Sequence, residues 1–477
     1  MELDLGAVVP ITYLAATLTF VIGLKAMASP RTAVTGNRLA AGGMVLAVVA
    51  TFFVPQVRDS GAIPLILAGI VAGTVVGGLS ARSVQMTAMP QMIAVFNGAG
   101  GGAAALVASL EFAREVSAGH AVGIVLVLSS LFGIAVGSYA FSGSVVAFGK
   151  LQGIISARAF RYPGQQLITG IVAVVILALA AAVALATTVG VALPVDPLVL
   201  FAVLGVLALV FGVAMVMPIG GADMPVVISL LNASTGMAVA ATGFALGNPL
   251  LIVSGTLVGA AGSILTQLMS KAMNRSLGNV LFGAFGAAPA AGAARTDDGR
   301  TVREVSAEDT AILLGYAQQV IVVPGYGMAV AQAQHAVREL ADLLESKGVT
   351  VRYAIHPVAG RMPGHMNVLL AEANIPYEKL YDMEQINEDF KTTDVALVIG
   401  ANDVTNPAAR ADRSSPIYGM PILNVDQAKN IVVIKRSMKP GFAGIDNELY
   451  LDAKTGMLFG DAKAAVEKVV QELKTAA

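Results

Sequence analysis

Four short stretches in the last third of the sequence carry residues suited to hold a phosphorylated ligand, and each follows an apolar, largely β-branched run. Ile321-Val-Val323 leads into Pro324, Gly325, Tyr326 and Gly327. Val351 to Ile355 leads into His356-Pro-Val-Ala-Gly-Arg-Met-Pro-Gly-His365. Val395 to Ile399 leads into Gly400-Ala-Asn-Asp-Val-Thr-Asn-Pro407, and Ile431 to Ile434 into Lys435-Arg-Ser-Met-Lys-Pro-Gly-Phe442. A strand, a tight turn at Gly325 and Gly327 and a helix start point backbone N–H groups at one spot, which suits a phosphate. The third small residue of a dinucleotide fingerprint is missing, because Val330 takes its place. Arg361, between Gly360 and Gly364, offers a guanidinium beside flexible backbone, where a pyrophosphate could sit. Asp403 either hydrogen-bonds a ribose or nicotinamide or caps the next helix. The second run ends in Tyr353-Ala-Ile-His356, with no carboxylate for a ribose 2′-hydroxyl. Lys435, Arg436 and Ser437 instead supply two cations and a hydroxyl after a later run, which suits a 2′-phosphate and hence NADP. A solvated basic cap on a strand is the plainer alternative for that pair.

These stretches need a scaffold. Strands are predicted at 319–323, 350–355, 395–399 and 430–434, and helices at 327–346, 364–373 and 460–475. Such alternation implies a Rossmann-like, doubly wound parallel sheet, whose ligands bind beyond the carboxyl ends of the strands. All four stretches fall there.

The rest of the chain is of another kind. Of 477 residues, 56% are hydrophobic and 13% charged, against about 25% charged in soluble domains. Residues 1–283 hold only 18 of the 61 charged side chains. No cysteine is present, which excludes disulfides, thiolate metal sites and cysteine nucleophiles. The net charge of −1 says nothing for nucleic acid. Nine segments reach the roughly 20 apolar residues that a spanning helix needs, near 5–27, 37–55, 62–81, 84–110, 120–141, 165–190, 197–217, 223–246 and 249–271. Met1-Glu-Leu-Asp4 lacks a positive n-region, so the first segment reads as a retained span. The connections after spans one, three, five and nine carry Lys25, Arg31, Arg38, Arg82, Lys150, Arg158, Arg161, Lys271 and Arg275, against Arg58 and Arg114 on the alternate side. The positive-inside rule then puts the N-terminus outside and residues 272–477 in the cytoplasm. The chain thus divides into a membrane domain (1–283), a linker (284–309) and a cytoplasmic nucleotide-binding domain (310–477).

Glycine-rich spans imply close helix packing; the run Asn97-Gly-Ala-Gly-Gly-Gly102 is dense enough that flexing or water entry is a second reading. No ionisable residue falls near the middle of a predicted span. The polar candidates there are Asn97, Ser138, Ser142, Ser144, Asn232, Ser234 and Thr235, with Asp223 at a cytoplasmic edge. Asn and Ser can carry a water chain but cannot exchange a proton, so a pump made from this chain alone lacks its titrating group. Taken singly, each is more simply an interhelical hydrogen-bonder.

Gly-Tyr-Gly-Met-Ala-Val-Ala-Gln-Ala-Gln334, Val-Ala-Gly-Arg-Met-Pro-Gly-His-Met-Asn367, Ile-Gly-Ala-Asn-Asp403, Gly-Met-Pro421, Lys-Arg-Ser437 and Leu-Phe-Gly-Asp-Ala-Lys463 are specific together. With Ala-Asp-Met-Pro-Val-Val227 and Lys-Ala-Met-Asn-Arg-Ser276 in the membrane half, the sequence resembles, end to end, the beta subunits of proton-translocating NAD(P) transhydrogenases. The resemblance implies a soluble domain that binds NADP(H) in reversed orientation. It implies cofactor contacts at Gly325, Tyr326 and Gly327; at Val358, Ala359, Gly360, Arg361, Met362 and Pro363; and at Gly400, Ala401, Asn402, Asp403 and Val404. Further contacts follow at Gly419 and Met420, at Lys435, Arg436, Ser437, Met438, Lys439, Pro440, Gly441 and Phe442, and at Asp461 and Ala462. Lys435 to Phe442 would be a lid, and Asp403 the residue assigned a catalytic part. Hydride would pass from NADH, held by a partner alpha subunit that adds membrane helices, to NADP+, with a proton crossing the bacterial inner membrane inward. A dimer of such complexes is expected. Asn97 departs from the family, many of whose members carry a histidine there. The expectation is that a partner helix supplies the missing group beside Asn97, Ser144 and Asn232, while Asp223 and Arg275 couple the bundle to the NADP domain. A transporter or channel gated by an NADP sensor is the main alternative. A membrane-tethered dehydrogenase is a third, against which nine spans are far more than an anchor needs.

Overall fold

The computed structural model describes residues 5–475 apart from 119–121, 157–158, 161, 274–276, 283–300, 363, 416 and 442. Arg275, Pro363, Phe442 and most of the 284–309 linker therefore lie outside the described residues. The chain divides into two compact units, Met1–Gly221 with Val227–Thr266, and Ala222–Val226 with Gln267–Ala477.

Among the described residues, nine helices are long and apolar enough to cross a membrane: Val8–Met27, Arg31–Thr51, Ile63–Ser83, Met89–Ser117, Ile124–Gln152, Gln165–Thr188, Pro197–Val216, Met224–Ala245 and Pro249–Ala272. Several outrun their apolar windows. Arg31, Arg38, Arg82, Arg114, Lys150 and Lys271, expected in connections, lie within helices. Apolar windows stop at polar residues, but helix propensity and i→i−4 bonding do not. The fifth span consequently reaches past Ser142 and Ser144 to Lys150.

Small residues set the helix contacts. A Cβ on Gly137 would approach the Gly101 carbonyl to 2.6 Å, and one on Gly236 would come within 2.5 Å of the Gly259 nitrogen. The glycine run after Asn97 is packed the same way, with Gly98 against Ser144 and Phe141, Gly100 against Thr235 and Gly102 against Phe141. The fourth helix runs unbroken from Met89 to Ser117 through this run, which agrees with close packing.

In the second unit a six-stranded, all-parallel sheet has the order β3-β2-β1-β4-β5-β6. The strands are β1 Gln319–Pro324, β2 Thr350–Ile355, β3 Leu380–Asp382, β4 Val395–Ile399, β5 Asn430–Lys435 and β6 Thr455–Phe459. The fold class is as predicted. Strands β3 and β6 are additional: one spans three residues, and the other, Thr-Gly-Met-Leu-Phe, has the look of a loop edge. The central strands are buried along nearly their whole length, as double-faced parallel strands must be. The predicted helix 327–346 is broken in two, Tyr326–Val330 and Gln334–Ser346, because Gln332 takes a left-handed conformation at φ 51° between them. The order of strands reverses between β1 and β4, and that switch point opens the crevice where a ligand can lie.

Candidate functional site

Each stretch singled out in the sequence sits at the carboxyl edge of its strand, and the loops after β1, β2, β4 and β5 converge there. The loops after β1 and β4 touch backbone to backbone. The Gly325 N–H donates to Ile399 O at 2.9 Å and the Gly327 N–H to Gly400 O at 3.0 Å. A Cβ on Gly325 would meet Ala401 Cα at 2.4 Å, and one on Gly400 (φ +65°) would meet Gly327 Cα at 2.4 Å. Its two glycine N–H groups are engaged by the neighbouring loop, and the helix that follows has five residues, so the turn is joined to the β4 loop by a backbone seam.

Tyr326 bridges to the β2 loop. The Arg361 guanidinium lies 4.6 Å from its ring centroid, and the His365 ring lies 6.4 Å away. Two histidines shape this loop from inside. His356 Nε2 donates to Pro421 O at 2.8 Å, and its Nδ1 accepts the Val358 N–H at 3.2 Å. His365 Nδ1 accepts the Arg361 N–H at 2.9 Å. Both rings are therefore neutral with the proton on Nε2, and burial pushes each pKa down to about 4. A Cβ on Gly360 (φ +108°) would strike the His365 ring at 2.5 Å, so only glycine fits there. Val358 and Met362 are half-buried and Ala359 is buried.

In the β4 loop, Ala401 and Val404 belong to the core under the sheet and offer the site backbone alone. Asp403 does not cap the following turn. Its Oδ2 accepts the N–H of Ala443, at the far end of the segment after β5. Met420 packs with Ile417 and Ile422 against Ala443 and Ile445 and so beds that segment's end, while Gly419 beside it is exposed.

The two cations after β5 part company. Arg436 is exposed. Lys435 is half-buried, donates to Lys439 O at 2.6 Å and stands 4.8 Å over the Tyr450 ring. Burial lowers its pKa from the usual lysine range, against the pull of Asp403 and Asp446. Ser437 and Met438 are half-buried beside it, and Lys439 and Pro440 are exposed. Asp461 accepts the N–H groups of Lys463 and Ala464 and so caps the last helix, with Ala462 buried behind it. Asn447 and Tyr450, which the sequence reasoning did not single out, are nearly fully buried under the β4 loop and bond to it. An Asn-Glu-Leu-Tyr stretch between two strands carries no local signal of that.

In the membrane unit, Asn97 Nδ2 donates to Ser144 Oγ at 2.9 Å, and both residues are buried. The Asn97 side-chain oxygen has no hydrogen-bond partner among the described residues. Thr235 reaches the Asn97 carbonyl at 3.5 Å. Ser138, Ser142 and Ser234 are buried within this unit, and the Ser142 and Ser234 hydroxyls turn back onto their own helices. Asn232 is exposed. Asp223 ends the short turn Gly221–Asp223 before the eighth span. Lys150, expected in the connection after the fifth span, is instead a buried titratable residue. It is 2% exposed, and its ammonium donates to Met217 O and to Ile219 O, the latter at 2.8 Å. It neutralises carbonyls left over at the end of the seventh span. The signal for it was a lone lysine closing a long apolar run.

Comparison with known proteins agrees with this arrangement. A family model described as NAD(P) transhydrogenase beta subunit matches residues 9–472. Two proteins named NAD(P) transhydrogenase subunit beta, both from Rhodospirillum rubrum, are each 48% identical over 468 residues, covering 97% of this chain and 98% of their own. A membrane bundle with a polar seam, joined in one chain to a parallel sheet whose loops gather at its switch point, thus belongs to the NAD(P) transhydrogenase beta subunit family.

Proposed function

We propose that the carboxyl edge of the sheet holds NADP(H) and accepts hydride there from NADH carried by an alpha subunit, while the membrane unit conducts the coupled proton. The observation that carries this reading is the convergence of four loops at the β1/β4 switch point, with an exposed arginine at the rim. The residues fit the cofactor. No carboxylate ends β2 to repel a 2′-phosphate, and Arg436 with Ser437 can hold one. Arg361, fixed over Tyr326, presents a cation to a pyrophosphate. The bond from the Ala443 N–H to Asp403, one residue past the lid segment of Lys435 to Phe442, ties the end of that segment to the pocket floor, which excludes water from the reacting face. Bound NADP+ supplies the electrophilic ring carbon that receives the hydride. This chain's residues orient that ring, screen it and make no covalent bond to it.

In the membrane the polar seam of Asn97, Ser144 and Thr235 can order water but cannot ionise. We assign the missing titratable group to a helix of the alpha subunit, received beside Asn97 and the outward-facing Asn232. The N-terminus lies outside, the nucleotide domain lies in the cytoplasm of a bacterial cell, and the working unit is a dimer of such complexes. Residues 1–283, 284–309 and 310–477 act as proton channel, linker and receiver. Asp223 and Arg275 pass the protonation state between channel and receiver. An NADP-gated transporter would use the same pocket without catalysis, and the family finding does not favour it. The test is hydride transfer by the complex reconstituted in vesicles that carry a pH probe. NADH-dependent reduction of NADP+ with proton uptake is expected; NADP binding without transfer would sink the proposal.

A further inference from the structure

Asn402 stands where the β4 loop faces the lid segment, and its carboxamide can lie two ways. With its nitrogen toward the lid, three donors would crowd together: the amide, the Gly441 N–H and the Lys435 ammonium. Turned over, its oxygen accepts from Gly441 at 2.6 Å and from Lys435 at 3.2 Å, and its nitrogen donates to the Tyr450 hydroxyl at 2.9 Å. The Tyr450 hydroxyl then donates to Ala401 O at 3.2 Å. Asn447 holds the backbone beneath, donating to Asn402 O at 3.0 Å while its own oxygen accepts the Leu449 N–H at 3.0 Å. This orientation leaves the Asn402 nitrogen 3.2 Å from the Asn447 amide nitrogen, but it gives both lid donors, the Gly441 N–H and the Lys435 ammonium, their acceptor, so it is the one adopted.

Tyr450 and Asn447 are 1% and 2% exposed, which makes the floor of this arrangement rigid. Its upper side is the lid. Lys435 reaches Lys439 O from one end, and Ala443 reaches Asp403 from the other. A Cβ on Gly441 would lie 2.7 Å from Asp403 Oδ1 and 2.8 Å from the Asn402 carboxamide. The lid therefore lies this close to the floor only because residue 441 is glycine.

We propose that Asn402 is a positioning residue that clasps the lid to the pocket floor through Gly441 and Lys435, and so sets how fast NADP(H) leaves. Lys435 is the charged half of the clasp, and 2′-phosphate selectivity rests on Arg436. This proposal rests on the reading of the pocket as the NADP(H) site. The chemistry follows from what each cation can still do. The Lys435 ammonium is committed to two oxygens and an aromatic face, whereas the Arg436 fork is exposed and presents paired donors to a phosphate.

The experiment uses the complete complex with its alpha subunit in membranes. Bound NADPH is displaced by excess NADP+, and its fluorescence decay gives the release rate. Asn402→Leu removes the acceptor, and Lys435→Met removes the donor. Each is expected to speed release about tenfold, the worth of one charge-assisted hydrogen bond. The double variant is expected to match either single one, because both break the same contact. Asn402→Asp keeps an acceptor oxygen toward the lid and should stay within about threefold of the parent. Lys435→Met should keep the preference for NADP+ over NAD+, while Arg436→Ala loses it. Release from Asn402→Leu at the parent rate, equal release from Asn402→Asp and Asn402→Leu, or lost selectivity in Lys435→Met would each overturn the clasp. Should Asn402→Leu fail to assemble, Lys435→Met and Gly441→Ala ask the same question from the lid side. A parent complex that binds no NADPH and transfers no hydride refutes the pocket assignment and the clasp with it. A working parent with unchanged variants refutes the clasp alone.

Discussion

At the scale of single residues, the pocket is a set of side chains that mostly serve one another. His356 and His365 are held neutral by burial, each with Nδ1 accepting a backbone N–H. Their folded pKa of about 4 lies below the ordinary value of 6.5. The stability they contribute is complete above pH 6.5 and is lost as pH falls toward 4. His356 alone should withdraw about 3 kcal/mol over that window. A denaturant melt of the complex, monitored on the nucleotide domain, should shift to lower midpoints below pH 6.5, and His356→Gln should flatten that dependence. Arg436 is the residue whose loss tells most about the ligand. Arg436→Ala should weaken NADP(H) binding about 30- to 100-fold, the worth of a bidentate phosphate contact, and leave NAD(H) on the partner unaffected. Equilibrium titration of NADPH fluorescence measures the first effect, and NADH saturation of the transfer rate measures the second.

At the scale of elements, glycine acts by admitting backbone to backbone. The seam between the loops after β1 and β4 and the contact between the fourth and fifth membrane helices share that logic. A Cβ on Gly137 would come within 2.6 Å of Gly101 O. Gly137→Leu should therefore spread the two helices, part Asn97 from Ser144 and abolish proton coupling, with about 1–3 kcal/mol lost to overpacking. Proton uptake and thermal inactivation of the same vesicles check both. These contacts were only half legible beforehand. Glycine content announced close packing, but Gly327 meets Gly400 across more than seventy residues of chain, and no local pattern encodes the partner. The same holds for the broken helix. Met328 to Ser346 is helix-forming throughout, yet Gln332 takes a left-handed turn that breaks it. The short strands β3 and β6 exist because a neighbour offers them a ladder, which propensity alone does not foresee.

At the scale of the whole molecule, coupling needs a driving force and a direction. NADH and NADPH donate hydride with nearly equal strength, so the bare exchange is close to balanced. One charge crossing about 150–200 mV supplies about 3–5 kcal/mol, enough to move the product ratio by two to three powers of ten. Collapsing the potential with an ionophore should return the NADPH/NADP+ ratio in energised vesicles to that of NADH/NAD+. The assigned direction has its own check. The chain has no cysteine, so single cysteines can be placed on either side. Residues near Arg58 should react with an impermeant thiol reagent from outside, and residues in the nucleotide domain only from inside. The partner's part is tested by replacing its membrane-embedded histidines and carboxylates one at a time. If proton coupling survives every replacement, the titrating group lies elsewhere.

What the amino-acid sequence determines alone is what depends on composition and period. Long apolar runs can only be satisfied in a bilayer, alternating β-branched and helical segments can only form a parallel sheet, and loops rich in Gly, Asn, Asp and Arg collect at its carboxyl edge. The tertiary structure decided which of those groups are available to a ligand. It showed the Gly325 and Gly327 amides already engaged, Lys435 half-buried over the Tyr450 ring while Arg436 stays exposed, Asn232 exposed, and Lys150 buried against spare carbonyls. The reason is physical. Hydrogen bonds are filled by whichever neighbours the fold brings within about 3 Å, and those of Gly325, Gly327 and Lys150 lie about seventy residues away along the chain.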